Sequence, residues 1–417
     1  MTAELIVPVR RDVVRSWTGV TGWLAWLLRA WSERRARREE QYEAGAFAEW
    51  LRYAWRDACE CVGACKIVET VTGPTARTPR VGSVITGPPV SMLVELIPGQ
   101  EPEDLTRVGG RLAHSLCFEG LRVVPHAGRW VRIELLDRDP LADQYALPGT
   151  AVTTCRQPVL IGRDEVGDAL GHAFADAAHV AMQGQNGAGK SQFAYGLLAQ
   201  LADADDVRIA GSDITGLLLG RPWAGTVHRQ WQATGTADLE AHATLLERLV
   251  GVMDERLATL PDRTGKLDPT SDRPLFVVVV EEFPGLLRAA AGLPKAARGE
   301  RSVLDRIKSA NLRLLSEGRK VAFRVVTLAQ RAEAEAMGGG YARDQYALRL
   351  SFRVPGDSLE MLHGPGVRDL AERHATAPPG VAVLSAPGRE LVRVRVPYLG
   401  DYAEYCDRIA RTAREAG

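Results

Sequence analysis

The sequence predicts an α/β fold with a parallel sheet, and two observations carry that prediction. The short, mostly apolar run His179–Gln183 is followed by a glycine-rich loop and then by apolar residues at helical spacing. The run Leu275–Val280 is apolar and rich in β-branched residues, as is typical of a strand covered on both faces. Strands of this kind belong to sheets with helices on both sides, so we expect a layered α/β domain around them.

The glycine-rich loop between the first strand and its helix runs Gly-Gln-Asn-Gly-Ala-Gly-Lys-Ser and has the spacing of a phosphate cradle. Its glycines let successive N–H groups turn toward phosphates, Lys190 neutralises the β- and γ-phosphates, and the Ser191 hydroxyl is a magnesium ligand. The helix that follows, from about Ser191 to Leu201, points its positive end at the same anions. The loop predicts binding of ATP or GTP with Mg²⁺ through Gly184, Gln185, Asn186, Gly187, Ala188, Gly189, Lys190 and Ser191.

Two adjacent carboxylates follow the second strand, at the strand end where ligands bind in open α/β sheets. Side chains of neighbouring strand residues point in opposite directions, so the two have different roles. We expect Glu281 to hold magnesium, directly or through water, and Glu282 to polarise the attacking water. The alternative, a pair of carboxylates that only starts a solvated loop, is disfavoured by the phosphate loop upstream.

The composition and the N-terminus limit the number of domains, the kind of nucleic-acid surface and the cellular location that we expect. The 417 residues are 46% hydrophobic and carry 52 basic and 52 acidic side chains. That length suits two or three domains, and the balanced charge means that any nucleic-acid surface must be local. The N-terminus lacks the pattern of a secretory signal, so a cytoplasmic protein is expected.

The N-terminal arm, residues 1–66, is rich in tryptophan and arginine. Six of the nine tryptophans lie within the first 55 residues, and no residue from Ser16 to Leu28 is charged. Thirteen helical residues cover only about 20 Å of a hydrocarbon core of roughly 30 Å, so a full membrane span is not expected. Two interpretations stay open: a helix in the headgroup region of the inner membrane face, or an amphipathic helix packed on protein.

The middle of the chain predicts a second, smaller domain. Residues 67–86 contain proline and glycine at short intervals and are typical of a linker. Residues 87–149 then predict a small α+β domain: a strand, a Pro-Gly turn, a helix from about 103 to 116 and two further strands.

Several motifs in one order resemble the FtsK/SpoIIIE family of DNA-translocating ATPases, over roughly Gly87 to Val396. The small domain of that family is similar to Gly87–Gly99 followed by Leu-Ala-His-Ser-Leu116, and its glycine-aspartate element is similar to Ile161–Asp164. Its strand ending in Thr-Gln-Arg is similar to Phe323–Arg331.

The resemblance implies a RecA-like P-loop NTPase motor over residues 150–396, with a short tail at 397–417. It implies that Gln330 senses the γ-phosphate or the attacking water. It also implies an arginine supplied by a neighbouring subunit of a ring, for which the candidates are Arg319, Arg331, Arg343 and Arg349.

This sequence departs from the family pattern in four respects. Glu281 stands where the family has aspartate, and Asp213 lacks the lysine that follows in the family's Asp-x-Lys element. There is no multi-span membrane domain, and the tail is too short for a winged-helix module. The reduced architecture is most similar to the transfer proteins of actinobacterial plasmids and integrative elements.

The function expected from this resemblance is ATP-driven translocation of double-stranded DNA by a ring, with a hexamer as the expected state, in conjugative transfer. The alternatives are a secretion ATPase that moves protein and a nucleotide-dependent membrane scaffold. DNA contacts in such a motor are mainly to phosphates, so they depend on salt rather than on sequence.

Overall fold

The chain divides into two compact units, residues 1–137 and 138–417. The computed structural model describes residues 42–71, 73–87, 89–149, 151–165, 167–176, 179–333 and 337–413. Residues 1–41, and with them most of the predicted tryptophan-rich arm and its membrane interpretation, lie outside the described residues. Among the helices that are described, none is long and apolar enough to cross a membrane.

The first unit is a four-stranded antiparallel sheet, in the order β3-β4-β6-β5, with a separate β1–β2 hairpin. Buried residues of the two helices, among them Leu51, Trp55, Leu105 and Leu112, form one core with the sheet. The elements are α1 (residues 42–62), β1 (Lys66–Thr70), β2 (Gly73–Arg77), β3 (Arg80–Ile85), β4 (Val90–Glu95), α2 (Pro102–Ser115), β5 (Gly120–Ala127) and β6 (Trp130–Leu136).

Strands β1 to β3 occupy residues 66–85, where the sequence suggests a linker. Gly73 and Pro74 begin β2, and Gly82 lies within β3 at a shift in its register with β4. Pro79, between the two strands, is buried, and its carbonyl accepts a hydrogen bond of 3.0 Å from Trp55 Nε1. Pairing of β1 with β2 and of β3 with β4, together with this contact 24 residues away along the chain, orders a segment whose local composition favours a loop.

The second unit contains a ten-stranded sheet in the order β11-β10-β12-β13-β9-β14-β15-β16-β7-β8. Its strands are β7 (Val159–Arg163), β8 (Ala169–His172), β9 (His179–Gln183), β10 (Val207–Asp213), β11 (Gln232–Thr234), β12 (Leu275–Glu281), β13 (Phe323–Ala329), β14 (Tyr346–Ser351), β15 (Val381–Ser385) and β16 (Val392–Arg395). Its helices are α3 (Lys190–Leu201), α4 (Leu239–Ala258), α5 (Phe283–Ala291), α6 (Val303–Glu317), α7 (Gly340–Asp344), α8 (Gly356–His363), α9 (Arg368–Ala375) and α10 (Tyr402–Thr412).

The parallel part of this sheet runs from β11 to β14, and the pairs beyond β14 are antiparallel. Strand β9 has β13 on one side and β14 on the other, whereas the next strand in the chain, β10, lies beyond β13 and β12. The strand order therefore reverses at β9. In open α/β sheets ligands bind at such a switch point, outside the carboxyl ends of the strands.

Candidate nucleotide-binding site

The glycine-rich loop joins β9 to α3 at this switch point. Gly187 and Gly189 have φ angles of +73° and +113°, a region that favours glycine. A Cβ on Gly189 would lie 2.6 Å from the main-chain nitrogen of Gly380, and the Gly380 N–H donates a 2.9 Å hydrogen bond to the Ala188 carbonyl. The loop is therefore packed against the segment before β15 so closely that only glycine fits at position 189.

The main-chain amides of this loop are available to a ligand. Within the described residues no hydrogen bond is made by the N–H groups of Asn186, Gly187, Gly189, Lys190 and Ser191. These groups lie at the N-terminus of α3, where the helix dipole favours negative charge. The arrangement suits a phosphate chain.

Lys190 lies between the loop and the two glutamates. Its Nζ donates hydrogen bonds to the carbonyls of Gly184 and, at 3.3 Å, Gln185. Burial lowers the pKa of Lys190, and the negative charges of Glu282 and Glu281 oppose that shift. Ser191, the next residue, is exposed in the first turn of α3.

Glu281 is the last residue of β12 and pairs in register with Asp213, the last residue of β10. Burial, followed by the charges of Asp213 and Glu282, raises the pKa of Glu281 to about 8. Its Oε2 is buried and has no hydrogen-bond partner among the described residues. A buried carboxylate oxygen without a donor fits a cation, so the residues present fit the Mg²⁺ that the sequence predicts.

Glu282 caps the N-terminus of α5 with a φ of +45°, which is unusual for a residue with a side chain. Burial raises its pKa, and the charges of Lys190 and Arg288 act in the opposite direction. Its carbonyl accepts a 2.8 Å hydrogen bond from the N–H of Gly285, at which a Cβ would lie 2.8 Å from Ile214. The close packing at Gly285 holds the strained turn, and strain of this kind is concentrated at functional sites.

Gln330 follows β13, which lies directly beside β9, with Ala329 paired to Gln183. The Gln330 carbonyl accepts a hydrogen bond from the Gly184 N–H at 3.3 Å, and its side chain is exposed. The backbone of the predicted sensor is thus joined to the first residue of the phosphate loop.

Gln183 is a residue that no sequence pattern singles out. Its buried side chain accepts from the Ala332 N–H at 2.7 Å and donates to Ser351 Oγ at 2.7 Å and to the Ser358 carbonyl at 2.8 Å. It therefore ties the strand before the phosphate loop to the segments after β13 and β14. No pattern of spacing marks such a residue, because its partners lie about 150 to 175 residues away.

A cavity of about 570 Å³ opens beside the phosphate loop. Its opposite wall is formed by Gln144, Pro379, Gly380, Arg395 and Tyr398, which sequence reasoning missed. Arg395 is held in place by hydrogen bonds to the carbonyls of Leu141, Pro379 and Ala142, at 2.6, 2.7 and 2.9 Å. The volume is that of a small-molecule site.

A parallel sheet with a phosphate loop at its switch point, and carboxylates at the end of a neighbouring strand, has the architecture of a P-loop NTPase. The structure of the conjugation coupling protein TcpA of pCW3 is similar to this chain with a TM-score of 0.55 and 17% identity, covering 87% of this chain and 99% of that one. This likeness confirms the fold class that the sequence predicts.

Two type VII secretion ATPases are also among the similar structures. The cytoplasmic domain of EccC from Thermomonospora curvata has a TM-score of 0.47 and 20% identity, covering 68% of this chain and 34% of that one. EssC from Geobacillus thermodenitrificans has a TM-score of 0.48 and 14% identity, covering 66% and 51%. No protein-family model and no curated protein matches the chain.

Proposed function

We propose that this protein hydrolyses ATP to translocate double-stranded DNA in conjugative transfer, as a homo-oligomeric ring that we take to be a hexamer. The observation that carries the proposal is the path from Glu282 to an exposed basic loop. Glu282 directly precedes helix α5, and α5 ends at Ala291, directly before that loop. The similar structure of TcpA, a conjugation coupling protein with ATPγS, supports a role in conjugative transfer that depends on ATP.

We assign phosphate binding, magnesium binding and activation of water to different residues of the site. The free amides of the loop and the Lys190 ammonium hold the phosphates, and the wall with Tyr398 closes the cavity where the rest of the nucleotide fits. Ser191 and Glu281 would hold Mg²⁺, which supplies positive charge to the phosphate oxygens when bound. Glu282, with its raised pKa, takes the proton of the attacking water, and Gln330 orients that water.

The basic loop, residues 292–301, is the proposed contact to DNA. Every residue from 291 to 301 is exposed, and the loop carries Lys295, Arg298 and Arg301 against the single carboxylate Glu300. Exposed cations on a loop bind phosphates without reading base sequence. Helix α5 joins Glu282 to this loop. A movement of Glu282 on hydrolysis would therefore be transmitted through α5 to the loop that contacts DNA.

Of the four arginines that a neighbouring subunit could supply, Arg319 and Arg343 are better candidates than Arg331 and Arg349. Arg331 donates to Asp357 and Ser358 Oγ at 2.8 Å each, and Arg349 donates to the carbonyls of Tyr346 and Leu362 at 2.7 Å each. Side chains already bonded within their own chain are less suited to reach a neighbouring site. Arg319 is exposed and Arg343 half-exposed.

DNA-stimulated ATP hydrolysis tests the proposal. Duplex DNA should raise the rate, and the stimulation should fall steeply as salt increases. Substitution of Lys295 and Arg298 together by Gln should remove most of the stimulation, whereas the same change at the exposed pair Arg263 and Arg273 should not. If duplex DNA does not change the rate of ATP hydrolysis by the wild type, the DNA proposal is wrong. A secretion ATPase that moves protein would then be the better candidate.

The catalytic assignments need their own variants. Glu282→Gln should lower the hydrolysis rate by about 10²- to 10⁴-fold with ATP binding retained, because its role is in the attack of water. Lys190→Ala should abolish turnover through weakened phosphate binding. DNA transfer that persists with either variant would favour a scaffold in which hydrolysis is vestigial. We place the protein in the cytoplasm, with contact to the inner face of the membrane as one of the two interpretations of its N-terminal arm.

A further inference from the structure

A second concave site lies in the first unit, far in sequence from the phosphate loop. It is an open groove of about 730 Å³ between α1, the β2–β3 connection, the end of β4 and the β5–β6 turn. Its charged lining residues are Arg52, Arg56, Arg77, Arg80, Arg129 and Glu95. Five cations face one carboxylate in a chain whose total charge is balanced.

The groove has a fixed floor. Trp55 and Leu96 are buried, at 1% and 3% exposure, and Pro79 is held by its hydrogen bond from Trp55 Nε1. Trp55 also belongs to the core of the unit, so the helix that carries Arg52 and Arg56 cannot move away without breaking that core. A rigid floor leaves the guanidinium groups at the rim in set positions.

Glu95 positions two of the arginines without using up their donors. It accepts from Arg80 at 2.8 Å and from Arg129 at 2.7 Å, each through a single nitrogen. A guanidinium has five N–H donors, so most of those on Arg80 and Arg129 remain for another acceptor.

On α1, Arg52 and Arg56 are one helical turn apart, with about 5–6 Å between their Cβ atoms. Arg52 pairs with Glu49, and Arg56 with Glu60 at 3.1 Å, in partly exposed pairs within the same helix. Such pairs contribute little to stability, so the arginines exchange their carboxylates for a stronger polyanion at low cost.

We infer that this groove binds the phosphate backbone of duplex DNA as a second DNA contact, separate from the basic loop of the motor. Duplex DNA as the occupant rests on the proposed function, which brings that polymer to the protein. The shape favours it over an anionic membrane, because a concave groove with arginines on its rim accepts a rod-like strand, whereas a bilayer surface is flat. Arginine also binds phosphates in the bidentate manner.

The test is binding of a fluorescently labelled 30-base-pair duplex to the full-length protein, measured by anisotropy over a range of salt concentrations. Arg52→Gln with Arg56→Gln should weaken binding about tenfold and lower the slope of log K against log salt by about 2, one unit for each lost phosphate contact. The matched control is Arg107→Gln with Arg111→Gln, two exposed positions on α2 outside the groove. Arg52→Lys with Arg56→Lys should keep the slope, because the charges remain, but should lose part of the affinity, because a lysine ammonium does not bind phosphate in the bidentate manner.

Each outcome separates the two proposals. Equal binding by the groove variant and the α2 control overturns the groove contact, and DNA-stimulated ATPase activity in the same proteins leaves the motor proposal standing. Absence of both duplex binding and stimulation in the wild type overturns both. Flotation with vesicles of phosphatidylserine and phosphatidylcholine is the remaining arm. If the groove variant loses vesicle binding and keeps duplex binding, the occupant is a lipid headgroup and the DNA assignment is wrong.

Discussion

Asp213 and Glu281 lie side by side at the carboxyl ends of adjacent parallel strands, yet their carboxylates have opposite surroundings. Asp213 accepts from the N–H groups of Thr215, Gly216, Leu218 and Leu219 and from the Thr215 hydroxyl, at 2.7 to 2.9 Å. The buried Oε2 of Glu281 accepts no hydrogen bond within the described residues. One carboxylate therefore shapes a loop, whereas its neighbour keeps a buried oxygen without a partner.

Asp213→Asn should destabilise the second unit by about 2–4 kcal/mol. In either orientation the amide nitrogen of asparagine would face main-chain N–H donors, of Thr215 and Gly216 or of Leu218 and Leu219. Urea unfolding followed by circular dichroism measures the change. The control is Asp262→Asn, at an exposed position, which should alter the free energy of unfolding by less than about 0.5 kcal/mol. An equal effect at both positions would contradict the role assigned to Asp213.

Asp213 also shows where sequence reasoning reaches its limit. The phosphate loop and the Glu281–Glu282 pair could be predicted because each is contiguous and follows an apolar strand. Asp213 ends a strand too, but the absence of a following lysine put its role in doubt, and four of its five donors are main-chain groups that carry no residue signature.

The wall of the nucleotide cavity was not predictable for a different reason. Arg395 and Tyr398 meet the phosphate loop only because β15 and β16 extend the sheet beyond β14 in the antiparallel direction. Nothing local to those residues encodes that extension. The small domain was predictable in its helix and three of its strands, whereas β3, which pairs with the next strand β4, was not, because the prolines and glycines around it favour a loop.

The positive φ at Glu282 predicts an inverted order of stability for two substitutions. Glu282→Gly should be more stable than Glu282→Ala by about 1 kcal/mol, because glycine adopts this conformation without strain. Both variants should lose ATP turnover. Denaturant unfolding of the two proteins measures the difference.

Glu255, an exposed residue within α4, provides the matched comparison. There the order should reverse, with alanine more stable than glycine by about 1 kcal/mol, since glycine is unfavourable in a helix interior. If alanine is also the more stable residue at position 282, the turn before α5 is not strained as described.

Tyr398 should contribute to nucleotide affinity through the cavity wall. Tyr398→Ala removes an aromatic side chain that lines the cavity of about 570 Å³ beside the phosphate loop. ATP binding should therefore weaken about tenfold. Titration with a fluorescent ATP analogue measures the dissociation constant. Tyr341→Ala, at a residue 64% exposed and outside the cavity, is the control and should leave the constant unchanged. An unchanged constant for Tyr398→Ala would place the nucleotide elsewhere.

Two buried histidines should make the second unit sensitive to acid. His179 Nδ1 accepts from the Val325 N–H at 2.9 Å, and His228 Nδ1 accepts from the Ile209 N–H at 3.1 Å, so both rings are held neutral. Burial, assisted by nearby Arg324 and Arg208 respectively, lowers the pKa of each to about 4 from 6.5. In the unfolded chain both imidazoles are therefore protonated below about pH 6.5, whereas in the folded chain they stay neutral down to about pH 4.

The resulting stability is complete above pH 6.5 and is lost as the pH falls toward 4, with about 2 kcal/mol lost per histidine by pH 5. His179→Asn and His228→Asn keep an acceptor near the Nδ1 position but do not titrate. Each variant should be less stable than the wild type at pH 7.5 and should lose less stability between pH 7.5 and 5. His126→Asn, at an exposed position, should follow the wild type at both pH values in urea unfolding. Parallel losses in all four proteins would mean that other groups control the acid response.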